Sequence, residues 1–311
     1  MQTQQVQATT LKQKPEKLKK MQTPLQRNLT AYAFISPWLI GMLFLTVGSM
    51  LFTFYLAFTD YDLLSAPTWI GADNFTNIWN DRNFWASIRS TLYYVALSVP
   101  LRLIASLLVA MLLLKDIKGI GLYRAVIYLP SLLGGSVGVA IGWKKLFDAN
   151  GPINSFLGVF GIAGPMWIGN PSTAIYVLII LAVWQFGSEM VIFLAGLKQV
   201  PTILYEAATI DGASKLKQFF HVTLPMLSPI IFFNLLMGTI SAFMVFTQVY
   251  IITGGGPMKS TLFYVYYLYQ NAFTYFDMGY AAALAVILLV IIAIISSFIY
   301  LTSKFWVNYD V

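Results

Sequence analysis

The chain has 311 residues, 58% hydrophobic and 10% charged, with 0 cysteines, 1 histidine and a net charge of +7. Soluble domains carry about 25% charged residues, so this composition excludes an ordinary water-facing globular surface, and its apolarity excludes a disordered chain. The absent cysteines remove disulfides and thiolate chemistry, and the lone His221 leaves no imidazole-ligated metal centre, so no metal site is expected.

Residues 1–30 hold Lys12, Lys14, Lys17, Lys19, Lys20 and Arg27 among Gln and Thr, and read as a disordered basic tail. Six apolar runs follow, at 31–58, 91–114, 125–143, 173–197, 226–252 and 278–303. Each is close to the ~20 residues that carry a helix across about 30 Å of hydrocarbon. They are too long, and too apolar on both faces, for barrel strands. The first is longer than a leader's apolar stretch and lacks a small-residue cleavage pattern, so it reads as a span.

The first connection, 59–88, contains Asp60, Asp62, Asp73 and Asp81. Residues 89–303 form a five-helix core, with 198–225 as its longest connection between spans on the tail's side, and 304–311 form a second tail. With the N-terminal tail in the cytoplasm, 13 Lys and Arg fall in inner segments and 5 in outer ones. That bias places both termini in the cytoplasm. The basic excess is then a topology signal and a contact for lipid headgroups, and nucleic acid is not expected.

Within 198–225, Pro201 suits a first helical turn, Gly212 interrupts, and Pro225 begins the next span, so the connection reads as two short helices. Ala207, Ala208 and Ala213 give it a smooth centre that another surface could approach closely. Glu206-Ala207-Ala208, then Gly212, Val222 and Leu224-Pro225, have the spacing of the conserved cytoplasmic loop of ABC importer permeases. Val222 stands where isoleucine is commoner. Asp211-Gly212-Ala213 and Gly254-Gly255-Gly256-Pro257 resemble the carbohydrate-uptake permeases of the maltose and glycerol-3-phosphate type. The resemblance covers roughly residues 89–303.

The resemblance implies an all-α membrane protein with the type I ABC importer permease fold and no catalytic chemistry. Glu206, Ala207, Ala208, Asp211, Gly212 and Ala213 would couple to a cytoplasmic ATPase. The partners implied are a second, similar permease subunit, two ATPase subunits and an extracytoplasmic sugar-binding protein, in a bacterial inner membrane. ATP and magnesium would sit on the ATPase chain. Residues 254–260 superficially match a phosphate loop, but Met258 occupies the glycine position before Lys259 and no Walker pattern occurs elsewhere.

Arg102 and Glu189 are the charges set well inside spans, and their depths differ by about 6 Å at ~1.5 Å per residue. They are read as an intramembrane ion pair, with a substrate contact as the alternative. Asn234, Gly238, Ser241, Val245 and Gln248 recur at helical spacing. This face is assigned to the substrate pathway, with interhelical packing as the alternative. Trp184 and Gln185 are added to it from the fourth span.

Gly254–Pro257 reads as a flexible turn at the outer mouth. The aromatics from Tyr264 to Phe276 read as an interfacial belt, or as a platform for a sugar ring. Two rival functions stand beside the permease. Asp60-Tyr61-Asp62 could serve a membrane glycosyltransferase as a metal-binding acid pair. A secondary transporter would need intramembrane relays and internal repeats, of which the chain offers two charges and no repeat.

Overall fold

The computed structural model describes residues 24–115 and 118–308; the tail residues 1–23 and 309–311 lie outside the described residues. Apart from two strands of two residues each, its elements are helices. The chain divides into two units, at residues 52 and 53.

The first unit holds α1 (Pro24–Gly41), a π-helical stretch (Met42–Val47) and the start of α2 (Gly48–Leu56). The helical stretch Tyr32–Leu56, which begins in this unit, has a mean hydropathy of 2.0. Helix begins at Pro24, so residues 24–30, assigned above to the tail, are helical. Proline suits a first turn because the N–H it lacks would have had no helical partner there.

In the second unit, Thr59–Asp60 pairs antiparallel with Thr68–Trp69, and α3 (Asp73–Asn80) follows. The second span is α4 (Arg82–Leu112), 31 residues long. It starts before residue 91 because Asp81 caps it, accepting from the Asn83 N–H at 2.8 Å. At ~1.5 Å per residue it rises about 46 Å, more than a hydrocarbon core needs. Its first turns therefore tolerate Arg82 and Arg89, which ended the apolar run.

The expected third span, 125–143, is a broken pair: α5 (Ile120–Leu133) and α6 (Val137–Leu146) meet at 99°. Gly134-Gly135 ends one helix, and Ser136 caps the next by accepting from the Val139 N–H at 3.3 Å. After α7 (Pro152–Val159), the fourth span consists of α8 (Ala174–Trp184) and α9 (Gly187–Leu197), bent by 41° at Gln185-Phe186. Next come α10 (Thr202–Ile210) and α11 (Lys215–Gln218).

The fifth span does not begin at Pro225. Helix runs from Lys215 through a π-helical stretch (Phe219–Thr223) into α12 (Leu224–Phe243). Pro225 has no N–H and would clash with the preceding turn, and the wider π turn before it accommodates the ring. The helix ends at Phe243, so 226–252 is not one straight rod; a second π stretch (Val249–Thr253) follows. Then come α13 (Tyr264–Tyr269), a π stretch (Gln270–Thr274) and α14 (Met278–Ser303). Asp277 caps α14 by accepting from the Tyr280 N–H at 3.0 Å.

Among the described residues, 4 helices can cross a membrane by length and composition, or 6 if each bent pair counts as one span. Within the second unit, α4 is central and packs on α8, α9 and α12. A large apolar core surrounds Ile78, Leu178, Phe263, Tyr264 and Leu284. A smaller one, with Ala110, Met190, Phe193, Leu197 and Leu227, lies where α4, α9 and α12 approach the 198–225 connection.

Candidate functional site

Two features of the second unit carry chemistry, a rigid connection and a polar cavity. In the connection, α10 ends in a left-handed residue, Gly212, with φ +74°. The Gly212 N–H donates to the Thr209 carbonyl at 3.0 Å and the Ala213 N–H to the Ala208 carbonyl at 2.8 Å. This is the paired closure that lets a glycine end a helix. Ser214 then caps α11.

Buried Gln218 fastens the two arms together. Its amide donates to the Thr209 hydroxyl at 2.9 Å and to the Ala213 carbonyl at 3.2 Å. The hydroxyls of Tyr205 and Thr223 meet at 2.9 Å. Gln218, Thr209 and Thr223 were not singled out from the sequence, because their partners lie across a turn whose geometry spacing alone does not give. Glu206, Ala207, Asp211 and Gly212 are exposed, and Ala208 and Ala213 half-buried. Ile203, Ile210 and Leu216 beside them are also exposed. The arrangement is a pre-set, low-relief projection with an apolar margin.

The cavity, of about 50 Å³, lies between α4, α8, α9 and α12. From α4 come Tyr94, Ser98 and Arg102, four residues apart and so on one face; from the bent pair come Leu178, Leu181, Gln185 and Glu189. Asn234, Gly238, Ser241, Val245 and Gln248 all line it. The helix stops at Phe243, yet the loop and the next short helix keep Val245 and Gln248 on the same wall. Tyr94 and Ser98 could have been found from their four-residue spacing with Arg102.

Arg102 and Glu189 form an ion pair, Nη2 to Oε1 at 2.7 Å. Arg102 Nε, Glu189 Oε2 and Asn234 Nδ2 are buried with no hydrogen-bond partner in the chain. A buried polar atom left unpaired costs about 1–3 kcal/mol. Three such atoms on residues of one cavity make it a place for water or for a polar ligand. A water takes about 30 Å³ of liquid volume, so the cavity has room for about one or two waters, and a saccharide does not fit in this conformation.

Trp184 is not on the cavity wall. Its ring lies against Trp143, centroids 5.4 Å apart. α8 ends at Trp184 and Gln185 opens the bend, so the chain leaves helical geometry between the two side chains. Gln185 itself donates to the Gly134 carbonyl at 3.1 Å.

The aromatic run is not uniformly an interfacial belt. Tyr264, Tyr266 and Tyr267 are buried, while Phe273, Tyr275 and Phe276 are exposed. The Tyr264 hydroxyl donates to the Leu284 carbonyl at 2.8 Å, and the Tyr267 and Tyr280 hydroxyls both reach Asp81 Oδ2. Burial and the Asp81 charge push the Tyr267 phenol up to about 12.

Gly254–Pro257 is a tethered turn. The Thr261 hydroxyl donates to the Gly256 carbonyl at 2.6 Å and the Gly254 N–H to the Val249 carbonyl at 2.8 Å. With Asn83, Lys259, Gln270 and Tyr275 it borders a separate cavity of about 300 Å³. Asp62 turns its carboxylate onto the Leu64 and Ser65 N–H groups and the Ser65 hydroxyl, which hold its pKa below the ordinary carboxylate value. Among the described residues no group of three or more His, Cys, Asp or Glu could hold a metal ion.

Helices long enough to span, a four-helix polar cavity and a protruding connection define a multi-pass membrane permease. Residues 77–305 match the sequence family described as "Binding-protein-dependent transport system inner membrane component". The chain belongs to this family and is the permease subunit of an ABC importer, a non-catalytic membrane component. It is 50% identical over 297 residues to the probable ABC transporter permease protein YesP of Bacillus subtilis, covering 94% of this chain and 96% of that one. With the trehalose/maltose transport system permease protein MalF of Thermococcus litoralis it shares 31% identity over 269 residues, covering 85% and 90%. Its fold matches a chain of a bacterial ABC transporter that imports the acidic polysaccharide alginate, with TM-score 0.78, 22% identity and coverage of 90% and 96%.

Proposed function

We propose that this permease passes a sugar or oligosaccharide into a bacterial cell across the inner membrane, with both termini in the cytoplasm. The substrate moves past the strip of Asn234 and Ser241, facing Arg102 and Glu189, in the cavity that Gln248 and Gln185 border. The observation that carries this reading is the convergence of three unpartnered polar atoms, from Arg102, Glu189 and Asn234, on one intramembrane cavity. Arg102 and Glu189 neutralise one another, so the lining offers donors and acceptors without net charge, as hydroxyl-rich ligands require. The relatives named for sugar transport favour the same class of substrate.

Glu206, Ala207, Ala208, Asp211, Gly212 and Ala213 dock into a cytoplasmic ATPase. Two such ATPases carry ATP and magnesium, and a second, related permease subunit completes the path. A binding protein delivers substrate outside; the alginate importer has been solved with its substrate-loaded periplasmic protein. The Gly254–Pro257 turn lies at the outer mouth. Closure of the ATPases pushes α10, and the rigid Gln218 fastening passes that push to α11 and the continuous helix up to Phe243. The cavity wall then moves with the docking surface.

Asn234→Leu tests the path. Removing a buried amide that has an unpaired N–H is neutral or stabilising for the fold. Uptake should therefore fall several-fold while complex assembly and basal ATP hydrolysis persist. Unchanged uptake would make the strip a packing face.

A further inference from the structure

We infer that Gln185 and Gln248 serve transport as positioning residues, acting through one backbone carbonyl, and not as contacts for the substrate. Three spans are interrupted in the second unit: between α5 and α6, between α8 and α9, and after α12. The three interruptions meet at the Gly134 oxygen. The 99° bend takes that carbonyl out of both flanking helices. Gln185, at the α8–α9 bend, donates its amide to it at 3.1 Å, and Gln248, just beyond the end of α12, donates at 3.1 Å.

Gly134 is buried and is not among the residues that line the cavity, so its carbonyl depends on donors from the protein. Both amide nitrogens are thus committed to the fold, although both side chains border the cavity. A Cβ at residue 134 would fall on the Gln185 side chain, so alanine there must displace the amide from the Gly134 carbonyl. Close by, a Cβ at Gly187 would lie 2.9 Å from the Tyr128 Cα, so α9 approaches α5 beside the same junction. The two glutamines fix the angle of the broken third span against the fourth and fifth, and so set the shape of the cavity wall.

The cysteine-free chain allows a clean spin-label pair at Ile141 on α6 and Val191 on α9, both exposed. Distances between the labels are measured by double electron–electron resonance in the assembled complex. The parent is compared with Gln185→Met, Gln248→Met and Gly134→Ala, and uptake is recorded for each. Positioning predicts a broadened or shifted distance distribution in all three, with uptake reduced about 3- to 10-fold, the effect of losing one ordinary hydrogen bond. Gly134→Ala should match the glutamine variants although it has no side chain that reaches a substrate.

If Gly134→Ala fails to accumulate, the two glutamine variants carry the test, since methionine keeps the side-chain length. An unchanged distance distribution in both glutamine variants overturns the inference, whatever uptake does. Broadened distances with normal uptake overturn it as well. Asn234→Leu keeping full uptake would sink the proposed path while leaving these distances as expected, so the two failures are distinguishable.

Discussion

Breaking the Arg102–Glu189 pair should cost more from one side than from the other. The Glu189 side chain is 11% exposed and the Arg102 side chain 25%. Arg102→Leu leaves the more deeply buried carboxylate with both oxygens unpaired, because Oε2 has no partner even in the parent. Removing one partner of a buried pair costs about 3–5 kcal/mol. Two unit charges 4 Å apart at an effective dielectric of 20 attract by about 4 kcal/mol, so the two scales agree.

Each 1.4 kcal/mol is tenfold, so Arg102→Leu should lower the folded-to-unfolded ratio by about two to three and a half orders of magnitude. Glu189→Leu should cost less, because the longer, more exposed arginine can turn its guanidinium toward water. The double change should recover most of the loss, since it replaces a charge pair by apolar volume. The assay is thermal unfolding of the solubilised complex, with membrane abundance measured alongside for all four forms. Additive single losses would show that the pair is uncoupled and refute the reasoning.

Gly212→Asp should accumulate normally yet abolish uptake and stimulated ATP hydrolysis: apart from the adjacent residues, no atom of the described residues lies within 4 Å of a Cβ there, and aspartate tolerates left-handed backbone better than most residues, so the new charge meets the docked ATPase. Poor accumulation, or normal uptake, would count against the docking assignment. Single cysteines at Ser214 and Lys118 should react only with reagent admitted to the cytoplasm, and one at Thr68 from outside; external labelling of Ser214 would reverse the topology. Burial raises the Asp277 carboxyl above its ordinary 3.8, so its ionisation opposes folding, and stability falls as pH rises through and above that value. Asp277→Asn keeps an oxygen for the Tyr280 N–H, so it should melt above the parent at neutral pH, with the gap closing toward pH 4; an equal gap at both pH values would remove the ionisation account.

The spans were legible because a charge inside hydrocarbon is so costly that its absence over 20 residues leaves few alternatives. The same scarcity made Arg102 and Glu189 stand out, and counting depth along two helices was enough to bring them together. The breaks were legible only in part. Gly134-Gly135-Ser136 carries a helix stop and a cap, whereas nothing in Gln185-Phe186 or Met244-Val245-Phe246 marks an interruption. At both, a glutamine donates to the Gly134 oxygen, a contact that residue spacing does not reveal.

Trp184 and Gln185 are adjacent, but α8 ends between them and only Gln185 lines the cavity. The run from Tyr264 to Phe276 shows another limit. Burial in a core and seating at a lipid interface both favour tyrosine, so composition does not separate Tyr264 from Tyr275. The 198–225 connection was legible in outline as two short helices because Gly212, at φ +74°, ends the first. Its Gln218 fastening depends on how two short helices fold back, which residue spacing does not specify.

The most direct test of the central claim is reconstitution of this chain with its partner permease and ATPase subunits in proteoliposomes. Binding protein loaded from a mixture of sugars and oligosaccharides is supplied outside, and the lumen is analysed by mass spectrometry. Saccharide should accumulate inside only when ATP is on the docking-loop side and binding protein on the other, and Asn234→Leu should reduce that accumulation several-fold. Entry driven by a proton gradient without ATP, or no saccharide in the lumen under any condition, would contradict the account.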